Sequence, residues 1–187
     1  MKIRVVILVY LLSLFARSSH GIVIRHDVGP GEYSLRSSDF PQVFFLEQQG
    51  MRKVCGATLV SDLWALTAAH CVGETSLGSV IQRGEEFEVE IANTERSIDL
   101  VVLHPDFVSP NTPEVDLALL RFSQEVNYPE PIPVNTQPNE LGEVVTLVGW
   151  GYSGLGTTGR QYDDGTKRQA QNRISQANQQ LRSFFDD

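Results

Sequence analysis

An all-β fold is the class that this sequence predicts, and three observations predict it. Short runs rich in β-branched and aromatic residues recur along the chain, each bounded by Gly, Asn, Asp or Pro. No helical stretch alternates with these runs, which argues against a βαβ sheet and favours a barrel or a sandwich. The 187 residues are 41% hydrophobic and 20% charged, with only 2 cysteines, a composition typical of a globular chain rather than of a disulfide-rich miniprotein.

Seven segments are predicted to form strands, and one of them alternates strictly between apolar and polar residues. This segment is Phe87-Glu88-Val89-Glu90-Ile91, the pattern of a strand with one buried face. The other six segments are residues 43–46, 57–60, 64–67, 100–103, 117–120 and 144–148.

A proline-rich stretch divides the chain. Pro129, Pro131, Pro133 and Pro138 lie close together, and proline has no N–H group to donate to a strand ladder. We therefore predict an extended connector at a domain boundary, over residues 128–140. It separates a first unit, residues 22–127, from a second unit, residues 141–187.

The first 21 residues have the order of a secretory signal peptide. Lys2 and Arg4 precede an apolar run, Val5–Ala16, which at 12 residues is shorter than the roughly 20 residues that span a bilayer. We predict export without a membrane anchor, with cleavage after Gly21 favoured over cleavage a few residues earlier. The other interpretation is a buried N-terminal helix or strand.

The charge balance bears on the partners of the protein. The formal net charge is −8, and the leader removes three basic residues and no acidic one, so the exported chain is more acidic still. A phosphate backbone is bound by an excess of Lys and Arg, so nucleic acid is not an expected partner.

Two cysteines, Cys55 and Cys71, lie 16 positions apart. In an exported protein an even pair is most simply a disulfide, and closing a loop of this size contributes about 3 kcal/mol in the chain-entropy model. The alternative is a metal site that uses His70 and Cys71. No further Cys or His lies at ligand spacing, so we predict neither a metal nor a cofactor.

Several segments together resemble the chymotrypsin and trypsin-like serine endopeptidases. Cys55-Gly56-Ala57-Thr58-Leu59-Val60 and Leu66-Thr67-Ala68-Ala69-His70-Cys71 are similar to the histidine signature of that family. Asp116-Leu117-Ala118-Leu119-Leu120 resembles its aspartate segment and begins 46 positions after the histidine. His104-Pro105-Asp106-Phe107 and Gly149-Trp150-Gly151 occupy the usual places between and beyond these segments.

The resemblance implies a chemistry and a fold. His70 would accept the proton of an attacking serine and pass it to the leaving amine, and Asp116 would fix the imidazole tautomer. The substrate would be a protein or peptide. The family packs two six-stranded barrels around the site, so the first barrel is expected to be complete and the second truncated. His104 and His26 are interpreted as local turn or hydrogen-bonding residues.

The chain departs from the family pattern at the nucleophile. No Gly-Asp-Ser-Gly-Gly segment occurs, and the serines after Trp150 are Ser153, in a predicted loop between Gly151 and Gly159, then Ser175 and Ser183. We therefore expect this chain to be inactive as given. The first hypothesis is a secreted endopeptidase represented without its serine segment, and the alternative is a non-catalytic pseudoprotease or binding module.

Two further expectations concern the ends of the chain. Ile22-Val23 is followed by Ile24-Arg25 rather than by two glycines, which departs from the usual activation sequence of the family. The resemblance predicts a strand near residues 168–176, whereas Ala170, Ile174, Ala177 and Leu181 fall at helical intervals. An incomplete second barrel would expose strand edges, so we expect association or poor solubility.

Overall fold

The computed structural model describes residues 23–24, 30–36, 38–107, 115–155, 159–177 and 181–182. The predicted signal peptide, His26 and Ser183 lie outside these residues. Across the described ranges, every helix is too short or too polar to cross a bilayer.

Six strands between residues 43 and 122 form one antiparallel sheet. A two-residue strand, β1 (Val23–Ile24), precedes them. The six are β2 (Val43–Gln49), β3 (Arg52–Ser61), β4 (Trp64–Thr67), β5 (Phe87–Ile91), β6 (Thr94–Leu103) and β7 (Ala118–Phe122). Their order is β2-β3-β4-β7-β6-β5, and the two outer strands contact each other. The sheet is therefore a nearly closed barrel.

Alternation along the strands fills the barrel with apolar side chains. In β5 the three apolar residues are buried and the two glutamates are exposed, as the sequence predicts. Burying a large apolar side chain contributes about 1.5–3 kcal/mol. The core residues with no exposed surface are Leu59, Ala65, Leu77, Ile91, Ile98, Leu120 and Val126, and Phe122 is 1% exposed.

Each predicted strand segment overlaps an observed strand, but some of the observed strands are longer than predicted. Residues 57–60 and 100–103 are the ends of two ten-residue strands, β3 and β6, whose other halves are polar and gave no apolar signal. Leu117 lies just before β7 rather than inside it. Ala92 and Asn93 both have positive φ and form the two-residue turn between β5 and β6.

One short helix precedes the barrel strands and two lie between β4 and β5, and the sequence did not predict them. They are a 3-10 helix (Pro30–Tyr33), α1 (His70–Glu74) and α2 (Leu77–Gln82). Leu77 is fully buried and anchors α2 against the barrel. Helices of five and six residues carry too little periodicity to be recognised from sequence.

The strands outside the barrel form three small sheets in the described residues. The strands are β8 (Val144–Gly149), β9 (Ser153–Leu155), β10 (Gly159–Tyr162), β11 (Arg168–Arg173), β12 (Gln176–Ala177) and β13 (Leu181–Arg182). β8 pairs with β11, β12 pairs with β13, and β9 lies between β10 and a parallel β1. Between β7 and β8, residues 123–143 form neither helix nor strand.

Two expectations about this second half are settled by the strand pairing. A strand near residues 168–176 is confirmed, because β11 pairs with β8 over six consecutive residues, and the helical interpretation of the tail is wrong. The loop assigned to Ser153 is also wrong, since Ser153 is buried at the start of β9. In both places a partner strand overrides the local pattern.

Candidate active site

Covalent and hydrogen-bonded contacts fix the backbone around His70. The Cys55–Cys71 disulfide forms as predicted and joins β3 to the first turn of α1. The Thr67 hydroxyl donates a hydrogen bond to the Gly56 carbonyl at 2.8 Å, which holds the end of β4 against β3. The segment that leads to His70 is therefore attached to the barrel on both sides.

The register of two neighbouring strands brings Asp116 to the same place. Thr67 ends β4 and Ala118 begins β7, and these two residues face each other in the antiparallel ladder. His70 comes three positions after Thr67 and Asp116 two positions before Ala118, so both side chains leave the barrel at one edge. A one-residue slip of this pairing would separate them.

Two hydrogen bonds connect His70 to Asp116. The ring nitrogen Nδ1 lies 2.5 Å from Asp116 Oδ2, and the His70 backbone N–H donates to Asp116 Oδ1 at 2.9 Å. Both carboxylate oxygens are thus engaged by the same residue, which fixes the imidazole ring in direction as well as in distance.

The carboxylate is held in its charged form. Partial burial raises the pKa of Asp116, but hydrogen bonds from the His70 ring, the His70 backbone and the Ala69 backbone outweigh that effect, and its pKa lies below the usual value. The ionised Asp116 accepts a hydrogen bond from Nδ1–H, so the neutral imidazole keeps its proton on Nδ1 and its lone pair on Nε2.

The second ring nitrogen is oriented toward the disulfide and solvent. Nε2 lies 3.6 Å from Cys71 Sγ, and the His70 side chain is 35% exposed. A neutral imidazole in this tautomer can accept a proton from a hydroxyl placed beside Nε2. The pair therefore has the geometry of a general base with its orienting carboxylate.

The other residues singled out in the sequence lie elsewhere. His104 follows β6, and its Nδ1 accepts the Asp106 backbone N–H at 3.2 Å, a local turn contact. Ser153 is buried in β9, and Ser175 is exposed after β11. One site contact, the hydrogen bond from the His70 backbone N–H to Asp116, could not be predicted, because nearly every residue type carries a backbone N–H.

A cavity of about 300 Å³ lies on another part of the surface. Phe45, Lys53, Trp150 and Lys167 contribute to its walls, and Phe45 meets Trp150 edge to face with ring centroids 5.6 Å apart. Neither His70 nor Asp116 lines this cavity, so it is separate from the site described above.

The barrel and the His70–Asp116 pair define a class, the trypsin-like serine endopeptidases. The family model described as Trypsin matches residues 30–183, most of the chain. The chain belongs to the trypsin family.

Relatives and a solved structure agree with this assignment. Vitamin K-dependent protein C of Oryctolagus cuniculus is 32% identical over 132 residues, which are 63% of this chain and 28% of that protein. Ovochymase-2 of Mus musculus is 25% identical over 148 residues, which are 74% of this chain and 22% of that protein. The matched chain thus spans less than a third of the length of these relatives.

The fold is similar to that of neuropsin, a serine protease expressed in the limbic system of mouse brain. The TM-score is 0.57 at 22% identity, and the match covers 77% of this chain and 64% of the neuropsin chain. At this identity the likeness concerns the fold alone.

Proposed function

We propose that this chain supplies the general base and the orienting carboxylate of a serine endopeptidase, with His70 as the base and Asp116 as its partner. The 2.5 Å contact between His70 Nδ1 and Asp116 Oδ2 carries the proposal. Nε2 would take the proton of a serine hydroxyl during attack on the peptide carbonyl and then deliver it to the leaving amine. Asp116 would stabilise the imidazolium formed between these steps.

The nucleophile is the missing part of this mechanism. The 187 residues contain no Gly-Asp-Ser-Gly-Gly segment, the segment that supplies the serine and oxyanion-binding N–H groups in the family. We propose that residues 1–187 alone do not hydrolyse peptide bonds. The complete enzyme needs a serine segment beyond them and then acts on proteins or peptides.

Export to the outside of the cell belongs to the same proposal. The charged and then apolar order of residues 1–21 and the Cys55–Cys71 disulfide support it, because disulfides persist in oxidising compartments. N-terminal sequencing of the protein collected from the medium of expressing cells is expected to begin at Ile22. Retention inside the cell with Met1 in place would contradict it.

A serine-directed fluorophosphonate probe tests the inactivity of the 187-residue chain. We expect no labelling and no cleavage of peptide substrates. Labelling that disappears on Ser153→Ala or Ser175→Ala would overturn the proposal, because it would identify a nucleophile that the geometry does not place at His70.

The transcript downstream of the Asp187 codon tests the role of His70 and Asp116. An in-frame Gly-Asp-Ser-Gly-Gly segment is expected. In the protein expressed from that transcript, Asp116→Asn should then lower kcat/KM by orders of magnitude, because the imidazole loses its tautomer control. A transcript that ends without such a segment would favour the alternative, a non-catalytic binding module of the same fold.

A further inference from the structure

We propose that reduction of the Cys55–Cys71 disulfide converts the surroundings of His70 into a site for a divalent metal ion of the zinc type. The ligands would be the two cysteine Sγ atoms and His70 Nε2. One ligand atom from each of these three residues lies within 4.8 Å of the other two. Two thiolates and an imidazole are the donor set that zinc prefers.

The spacing fits a tetrahedral ion. Zinc binds sulfur at about 2.3 Å and imidazole nitrogen at about 2.0–2.1 Å, which puts neighbouring ligand atoms roughly 3.5–3.8 Å apart. Nε2 and Cys71 Sγ already lie 3.6 Å apart. The Cα atoms of Cys55 and Cys71 are 5.8 Å apart, so side-chain rotation can separate the two sulfurs after reduction without moving β3 or α1.

Asp116 supports the proposed metal site by binding the other ring nitrogen of His70. A metal-bound histidine usually donates its other ring N–H to a carboxylate, which fixes the ring and strengthens the ligand. Here Nδ1 lies 2.5 Å from Asp116 Oδ2, and this contact leaves the lone pair on Nε2, the nitrogen that lies 3.6 Å from Cys71 Sγ. The His70 side chain is 35% exposed, so water reaches the ring and would supply the fourth ligand.

The chemistry balances with a dithiol reductant. The reductant gives two electrons and two protons to the disulfide and becomes a disulfide itself, while Cys55 and Cys71 become thiols. Binding of the metal then displaces both thiol protons. The oxidised protein has no thiolates to offer and is not expected to bind.

A metal ion bound to the two cysteines and His70 would also prevent His70 from acting as a general base. An ion on Nε2 occupies the lone pair that accepts the serine proton, so the reduced and loaded site would block the chemistry proposed for His70. The binding itself goes beyond that proposed function, and its test is spectroscopic. Failure of one proposal is therefore distinguishable from failure of the other.

Cobalt(II) titration of the full chain, reduced with a phosphine and freed of excess reductant, provides the test. We expect one Co²⁺ per reduced chain with thiolate-to-metal absorption, displacement of the cobalt by Zn²⁺, and no such absorption for the oxidised chain. His70→Gln should weaken binding at least tenfold, and Asp116→Asn by roughly 10–100-fold. The matched control His104→Gln should bind like the unchanged protein.

Circular dichroism of the same samples shows whether the barrel persists after reduction. The proposal is overturned if the reduced chain loses its β signal, because the cobalt would then bind unfolded cysteines. It is equally overturned if His70→Gln binds Co²⁺ as tightly as His104→Gln, since the imidazole would then not be a ligand.

Discussion

The contact between His70 and Asp116 affects stability as well as chemistry. Asp116 is 23% exposed, and both its oxygens accept hydrogen bonds from one residue. Because its pKa is lowered in the folded state, the ionised form stabilises the fold above the pKa of the unfolded chain, about 4. That stabilisation is lost as the pH falls through the lower value of the folded state.

Asp116→Asn is therefore expected to lower the free energy of unfolding by about 1–2 kcal/mol at pH 7. The difference from the unchanged protein should shrink below about pH 4, where the carboxylate becomes protonated. Urea unfolding at pH 7 and pH 3 measures both values. Asp106→Asn is the control, since that side chain is 76% exposed. An equal loss at both pH values would contradict the assignment.

Lys167 is a second residue whose role is visible in the structure. Its side chain is buried, and Nζ donates hydrogen bonds to the carbonyls of Asp39, Phe40 and Val43 at 2.9, 2.7 and 2.9 Å. The ammonium also lies 5.1 Å from the centroid of the Trp150 ring. Burial lowers the pKa of Lys167 to about 8, so the charged form still predominates at pH 7. This cation connects the segment before β11 to the turn before β2.

Lys167→Met keeps the length of the side chain and removes the charge and the donors. We expect a loss of about 2–3 kcal/mol in the free energy of unfolding, because three charge-assisted hydrogen bonds from the ammonium to backbone carbonyls are lost. Lys53→Met is the matched control, since Lys53 interacts at the surface with Gln48 and with the face of Phe45. A loss for Lys167→Met no greater than that for Lys53→Met would show that the carbonyl contacts contribute little.

At the scale of elements, the segment before β11 packs against the β2–β3 hairpin. Gly165 has a positive φ of 67°, and a Cβ atom there would lie 2.3 Å from the Met51 carbonyl oxygen at the tip of that hairpin. Arg52, next to Met51, reaches Asp163 at 3.4 Å. The close approach of two backbones requires glycine at this position.

Gly165→Ala should consequently cost about 2–4 kcal/mol of stability, from backbone strain and the clash together. Gly84→Ala separates the two effects, because Gly84 has a similar φ of 74° but open space around its Cβ position, and should cost about 1 kcal/mol. Thermal unfolding of both variants makes the comparison. Equal losses would mean that the hairpin simply moves aside.

The strands that could be predicted from the sequence have a local apolar pattern, whereas the elements that were missed depend on contacts with distant residues. β4 and β5 were predicted because alternate burial along a strand leaves a local pattern in the sequence, and β8 was predicted from its run of β-branched and apolar residues. The polar halves of β3 and β6 and the five-residue helix α1 were not, because neighbouring strands and the disulfide hold them in place. Ser153 in β9 was likewise missed, because its strand is held by pairing with β10.

At the scale of the whole molecule, the second half of the chain differs from the barrel. In the described residues, β8 and β11 form a sheet of two strands, in which Val144 and Leu147 are 53% and 48% exposed. On the outside of the barrel, Val102 and Leu119 face each other across β6 and β7 and are 43% and 38% exposed. Apolar surface and strand edges of this kind favour association.

We accordingly expect the purified chain of residues 22–187 to self-associate. Sedimentation velocity over a range of concentrations should show species larger than a monomer, and an apolar fluorescent dye should bind. A monomer at all concentrations with one sharp unfolding transition would contradict this prediction, because it would show that the exposed strands need no cover.

The sequence by itself determined the all-β class and the membership of the family, and it predicted His70 and Asp116 as the site residues, since signature residues and local periodicity occupy short stretches of chain. Only the tertiary structure decided the register that joins His70 to Asp116, the sulfur beside Nε2, and the carbonyls around Lys167. These contacts link residues up to 128 positions apart. No local pattern encodes them, because they depend on how strands pair and on which backbones meet.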